Sequence, residues 1–460
     1  MSAIDVSSPA TENWSGRLAF VLASIGAAVG LGNIWKFPYT LGSSGGSAFV
    51  LIYVLAILLI ATPIMLAEMI MGRHARRSAP AAFKSIAEAR GSSSKWGLVG
   101  WMGLFALFLV LSFYSVIAGW TAAYLVKTAS GGLSGLSAPE VGGDFGAFLH
   151  APSQMIFWHA LFTGATVFIV SRGVKVGLER VVKFLMPALF LTLFALVINS
   201  AITGDFATTI DFLFTADLAK ITPLVVLAAV GQAFFSVNVG IGSVLTYSAY
   251  LPKDVNLFQS AIVVALGDTL VALLAGLAIF PIVFANNLDP AEGAGLIFVT
   301  LSTAFAKMPA GALIGSAFFL MILFAALTSS ISMLETMTAR IYEIRGISRT
   351  TAAVTIGTGT FLMGLVTVFS FSTWENFYPL GQFETFATKT PFDLIDYLVT
   401  NILMPLGGML YALFAGWWIS KQTLLSEIGV GEGAVFQLWL WLIRVIAPLA
   451  VALVFFFNLA

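Results

Sequence analysis

The 460-residue chain is 59% apolar and 10% charged, carries no cysteine and has a formal net charge of zero; its mean hydropathy is +0.97. Such a composition cannot cover a soluble surface, and it describes a polytopic membrane protein embedded in a lipid bilayer. Disulfides and thiolate metal sites are excluded, and with no basic tail nucleic acid is not an expected partner.

Met1 to Trp14 is polar and lacks the basic stretch that precedes the apolar part of a signal peptide, so no cleaved leader is expected. Eleven apolar segments follow: 15–39, 47–71, 98–127, 154–171, 178–201, 222–250, 257–286, 310–342, 350–371, 393–419 and 435–459. Each is long enough for a hydrocarbon core of about 30 Å at ~1.5 Å of helix per residue. The expected fold class is therefore an all-α polytopic membrane protein of about eleven transmembrane helices, forming one membrane domain over 1–460.

The first segment contains Gly26-Ala27-Ala28-Val29-Gly30-Leu31-Gly32-Asn33. Glycine costs about 1 kcal/mol relative to alanine inside a helix, and a broken spanning helix is tolerated only where its freed backbone lines a protein-walled or wet cavity. The stretch reads as a break. Val29-Gly30-Leu31-Gly32 aligns with Val239-Gly240-Ile241-Gly242 in the sixth segment. Paired interruptions of this kind point to a transporter's central site; chance or close helix packing is the alternative. The repeat places 15–201 against 222–419, with 435–459 outside it. Five spans per half invert the second half, so the two broken helices cross near the midplane in opposite senses.

Lysine and arginine give the orientation. Arg73, Arg76, Arg77, Lys84, Arg90 and Lys95 follow the second segment, and Arg172, Lys175, Arg180 and Lys183 occupy the next loop on that side. The opposite loops hold only Lys127, Lys220, Lys307 and Lys389. A cytoplasmic N-terminus in a cell membrane is expected. The outer segment 287–309, mixing apolar and turn residues, reads as a loop packed against the mouth of the protein, with a floppy loop as the alternative.

Asp268 lies in the apolar run from Ala261 to Phe284. A carboxylate there is costly unless paired, solvated or protonated, which makes an ion pathway the default reading; a permanently protonated structural acid is the alternative. His74, His150 and His159 are scattered, with no nucleophile–base or metal-ligand spacing, so an enzyme is not expected.

RLAFVLASIGAAVGLGNIWKFP (Arg17 to Pro38), SFYSVIAGW (112–120), GQAFFSVNVGIG (231–242) and LTSSIS (327–332) resemble, in order and at fitting spacings, the neurotransmitter:sodium symporters, especially their bacterial amino-acid transporters. The resemblance extends over essentially the whole chain and implies sodium-coupled import of neutral L-amino acids by alternating access. A membrane amino-acid sensor without net transport is the alternative. Half-helix ends at a break offer N–H groups to a carboxylate and carbonyls to an ammonium.

By resemblance, Leu31 and Gly32 N–H groups and the Tyr114 hydroxyl receive the substrate carboxylate, while carbonyls of Ala28, Phe235, Ser236 and Asn238 receive the amino group. An interfacial belt residue is the alternative for Tyr114. Val110, Phe235, Asn238, Ile241, Ser329 and Met333 would line a largely apolar side-chain pocket, with Asn238 narrowing it or bonding a polar substrate. The resemblance implies two sodium ions and no organic cofactor. The first would be held by Ala28, Asn33, Ser236, Asp268 and the substrate carboxylate. The second would be held by Gly26, Val29, Ala325, Thr328 and Ser329, for which small-residue helix packing is the alternative.

Asp268 resembles the acid that supplies negative charge in chloride-independent members, and it implies an accompanying proton exchange at this residue. In some relatives that acid lies four residues later, where this chain has Ala272. Lys36, Asp396 and the aromatic lid Phe235 match the outer gate. The inner arginine expected three residues before Trp14 is Thr11, which leaves the acidic partner position, Glu343, without its usual mate. Arg17 and Glu68 read as fixed helix-end contacts. Gly177 and Pro187, with nine residues between them, resemble a pattern that implies local unwinding of the fifth helix; an ordinary kink is the alternative.

Overall fold

A computed structural model describes residues 13–215, 217–291 and 295–459; the Thr11 position lies outside them. Among the described residues there is no strand, and nine helices are long and apolar enough to cross a membrane. Arg17–Ala28 and Gly32–Ser43 form a tenth span, bent by 48°. Pro223–Val237 and Ser243–Ala249 occupy the sixth place, each too short to span alone. The eleven expected segments are thus all helical, and the two glycine-rich ones are the two that are interrupted.

Continuous helices dominate because the backbone of a lipid-facing segment must satisfy its own hydrogen bonds. The third span, Ser94–Ala129, and the eighth, Gly311–Arg345, pack on one another and supply long buried faces. The fourth, Pro152–Ser171, and fifth, Val174–Thr203, expose Phe157, Leu161, Phe168, Phe184 and Leu191 on outward faces suited to lipid. His159 is buried, its Nε2 lying 3.1 Å from the Phe361 carbonyl and its ring stacked on Phe361, so it joins the fourth and ninth spans.

The outer segment expected to pack against the mouth contains the buried helix Leu296–Lys307, whose Phe298 sits among Trp120, Tyr124, Phe145 and Phe319. The segment of the fifth helix expected to unwind locally is helical in this structure. Val174–Glu179 forms a π-helical turn that runs directly into Arg180–Thr203, with Pro187 inside the helix. Gly177 keeps its bond to the Gly173 carbonyl at 3.1 Å. Glu179 accepts Ser15 N–H at 3.0 Å and Lys183 Nζ at 2.5 Å, which ties the turn down.

Candidate functional site

In the first span the helix stops at Ala28, Val29 is extended (φ −66°, ψ 110°), and helical geometry resumes at Leu31. Neither Gly30 nor Gly32 has positive φ. These glycines serve close approach: a Cβ on Gly30 would stand 2.5 Å from Ser329 Oγ and 2.6 Å from Tyr114 Oη, and one on Gly32 would stand 3.0 Å from the Phe235 ring. Leu31 N–H donates to Tyr114 Oη at 3.1 Å. Two of the three expected carboxylate contacts therefore already face each other. Gly32 N–H begins the resumed helix beside them.

The sixth span ends its first half at Val237 and crosses 238–242 before restarting. Asn238 (φ 57°), Gly240 (φ 86°) and Gly242 (φ 84°) all lie in the left-handed region, which asparagine and glycine tolerate best. The C-terminal carbonyls of Pro223–Val237, those of Phe235 and Ser236 among them, lie at a helix end, where intrahelical donors run out. Asn238, expected to narrow the pocket or bond a polar substrate, is buried, and its Nδ2 donates to the Ala27 carbonyl at 2.7 Å, linking the two breaks.

The first sodium set comes together. Asn33 Nδ2 donates to Asp268 Oδ1 at 2.8 Å and to Ser236 Oγ at 2.9 Å, and Ser236 Oγ donates to Asp268 Oδ2 at 2.5 Å. Ser236 commits its one proton to Asp268, so Tyr53 donates the 2.9 Å bond to Ser236; Tyr53 Oη also lies 3.4 Å from Asp268 Oδ2. Asn33, Ser236, Tyr53 and Asp268 have no solvent exposure. Donors converging on both carboxylate oxygens suit an ionised acid, which accepts only. Asn33 turns its amide oxygen to Gly30 N–H at 3.3 Å, leaving its NH2 on Asp268.

The second set also converges. Ser329 Oγ donates to the carbonyls of Gly26 (3.2 Å) and Val29 (3.0 Å), and Thr328 Oγ1 donates to the Ala325 carbonyl at 3.0 Å. Three carbonyls and two hydroxyls are the hard oxygen donors that an alkali cation takes. Around them, Val110 lies one turn before Tyr114 and Met333 one turn after Ser329; both are buried, as are Ile241 and Ala28.

The three residues expected at the outer gate lie together. Lys36 Nζ lies 3.7 Å from Asp396 Oδ1 and 4.4 Å from the centre of the half-buried Phe235 ring, so the three expected gate residues form one assembly. Glu343, expected to lack its usual mate, has other partners. Glu343 pairs with Arg340 at 3.2 Å and accepts from Ser78, while the N-terminal segment is fixed by Trp14 Nε1 on the Tyr247 carbonyl (2.8 Å) and by Ser15 on Glu179. Arg17 is exposed on the first helix. Glu68 contacts the sixth-span break, accepting Gly240 N–H at 2.6 Å.

Sequence reading missed Tyr53 and Gln232, whose Nε2 donates to the Gly32 carbonyl at 2.7 Å. Each is a polar group inside an apolar run, which was the available signal.

A profile of the family described as "Sodium:neurotransmitter symporter family" matches residues 11–136 and 147–460. The "Uncharacterized sodium-dependent transporter YhdH" of Bacillus subtilis (strain 168) is 42% identical over 445 residues, covering 96% of each chain. An uncharacterized sodium-dependent transporter of Haemophilus influenzae is 33% identical over 97% of this chain and 98% of its own. The crystal structure of MhsT in complex with L-phenylalanine superposes with a TM-score of 0.89 at 41% identity, covering 97% of this chain and 99% of that one.

Proposed function

Because the chain belongs to the sodium:neurotransmitter symporter family, and is thus a sodium-dependent transporter, we propose that it imports neutral, hydrophobic L-amino acids together with two sodium ions, needs no chloride, and returns a proton outward. The observation that carries this reading is the pairing of Leu31 N–H with Tyr114 Oη beside the Asn33–Ser236–Asp268 cluster. A substrate carboxylate entering there takes the Leu31 and Gly32 N–H groups and the Tyr114 proton, and its other face meets the first sodium ion. The ammonium group takes the Ala28, Phe235, Ser236 and Asn238 carbonyls. Ion and substrate then share one carboxylate, which couples their binding directly.

Asp268 supplies the negative charge that balances the first sodium ion, so that no halide is required. The second ion sits among Gly26, Val29, Ala325, Thr328 and Ser329 and ties the first span to the eighth, so its departure frees the first span to move. Val110, Ile241 and Met333 offer apolar walls, which favours aliphatic and aromatic side chains, and the phenylalanine bound to MhsT fits that preference. Lys36, Asp396 and Phe235 close the outer path. The N-terminus lies in the cytoplasm and the protein in the cytoplasmic membrane, in keeping with the Arg73 to Lys95 loop.

Uptake of labelled phenylalanine, leucine and other neutral amino acids into proteoliposomes tests the reading. Accumulation against a gradient with inward sodium, unchanged when gluconate replaces chloride, is the expected result. Accumulation that persists when choline replaces sodium would remove both proposed ion sites.

A further inference from the structure

Among the described residues, four acids are buried within the spans: Glu68, Glu179, Asp268 and Glu335. Three are fully engaged. Glu179 holds Lys183 and Ser15, Glu335 is ion-paired with Arg349 and accepts from Tyr250, and Asp268 accepts on both oxygens. Glu68, in the second span Ser47–Ala75, has no solvent exposure and differs. Its Oε1 accepts Gly240 N–H at 2.6 Å, the N–H groups of Gly242 and Leu245 also face the carboxyl, and its Oε2 makes no hydrogen bond of ordinary length among the described residues.

The groups around it leave Glu68 without a cation. Arg73, farther along the same span, is taken by Glu427 at 2.7 Å and by the Val255 and Glu427 carbonyls, and His74 also faces Glu427. Arg444 donates to the Gly416 carbonyl. Tyr247 stacks against Trp14, and Asp268 is held by Asn33 and Ser236. Tyr411, on the tenth span Pro391–Trp418, carries its unpartnered hydroxyl beside the sixth-span break, 2.8 Å from where a Cβ on Gly242 would stand. Ser243, the first residue after the break, is buried with an unpartnered Oγ.

We propose that Glu68 is a proton-binding site, the carboxyl group that carries the counter-transported proton and links it to the break in the sixth span. The inference rests on the proton counter-transport proposed above, and it assigns the proton to Glu68 in place of Asp268. Ionised, Glu68 holds Gly240 N–H by a charge-assisted bond, roughly twice as strong as a neutral one. A proton taken from hydronium on the cytoplasmic side forms an O–H bond at Oε2 and neutralises the group. The neutral carboxyl then holds Gly240 N–H only by an uncharged hydrogen bond, and the grip weakens. Release of the proton to water on the outer side restores the carboxylate and the grip. Gly240 lies between Asn238 and Ile241, so the charge on Glu68 biases the backbone that carries substrate-site residues.

Glu68→Gln fixes the neutral state. In proteoliposomes with trapped pyranine, clamped in voltage by valinomycin and potassium, sodium plus L-phenylalanine should alkalinise the lumen of wild-type vesicles, and E68Q should lose that signal while still binding phenylalanine with sodium. Alkalinisation that survives in E68Q overturns the assignment alone. No alkalinisation in the wild type overturns the counter-transport reading and this inference with it. Should E68Q lose phenylalanine binding, infrared difference spectra of the wild type decide. A protonated-carboxyl band that responds to sodium and phenylalanine and shifts with 13C-glutamate supports Glu68. A band that shifts only with 13C-aspartate overturns it.

Discussion

The two breaks share the pattern Val-Gly-x-Gly yet use their glycines for different physical ends. In the first span, Gly30 and Gly32 keep negative φ and are small so that Ser329, Tyr114 and Phe235 can approach the backbone. In the sixth, Gly240 and Gly242 adopt left-handed φ, and Gly240 also lies so near the tenth span that a Cβ would stand 2.5 Å from Gly408 N. One break is shaped by what must touch it, the other by the path the chain itself takes. The same residue type therefore permits close approach in one half and left-handed backbone in the other.

Substitution should separate these roles. Gly30→Ala is expected to abolish sodium-dependent phenylalanine uptake, because its methyl group displaces both the Ser329 and Tyr114 hydroxyls. Scintillation binding checks this, and retained affinity would break the comparison. Gly240→Ala should act first on stability. Left-handed backbone costs about 1–2 kcal/mol for a residue with a Cβ, and overpacking adds roughly 1–3 kcal/mol. A clearly lower melting temperature in detergent than that of Gly30→Ala is the expected outcome.

Asp268→Asn removes the charge at the end of the Asn33–Ser236 cluster. Apparent sodium affinity should fall by about tenfold or more, equivalent to ~1.4 kcal/mol, and uptake should become stimulated by chloride. A sodium titration at fixed phenylalanine, with and without chloride, reads both effects. An unchanged titration would mean that Asp268 does not bear on the first ion.

Asn238 tests the bridge between the breaks. Asn238→Ala loses the bond to the Ala27 carbonyl and meets left-handed strain, for about 1.5–3.5 kcal/mol together. Asn238→Gly relieves the strain and loses only the bond, so thermal melting should place it between Asn238→Ala and the wild type. The smallest effect belongs to the gate. Lys36→Gln removes a partly exposed ion pair worth about 0–1 kcal/mol, and should speed phenylalanine dissociation several-fold while leaving sodium affinity unaltered.

Much of this molecule was legible in its sequence. Apolar run length gave the spans, because hydrocarbon thickness fixes helix length. The glycines and Asn33 marked the first break, and Asp268 stood out because an acid in an apolar helix is costly without a purpose. Resemblance supplied the register of Tyr114, Ser236, Thr328, Ser329, Lys36 and Asp396, and the structure brings these residues into the expected neighbourhoods.

Other features depended on neighbours hundreds of positions away. Asn238 turns to Ala27, Tyr53 reaches Ser236, Gln232 caps Gly32, and Glu68 holds Gly240. No local pattern tells a polar side chain which of several distant backbones it will satisfy. The fifth helix likewise keeps a π-turn where Gly177 and Pro187 suggest unwinding, since Glu179 is held by Ser15 and Lys183. Sequence by itself determined where the chain must be helical and where it must break, and it singled out Asp268 as an acid inside an apolar run. Tertiary packing decided what each break is bonded to, because those partners are chosen by geometry between helices rather than by propensity along one.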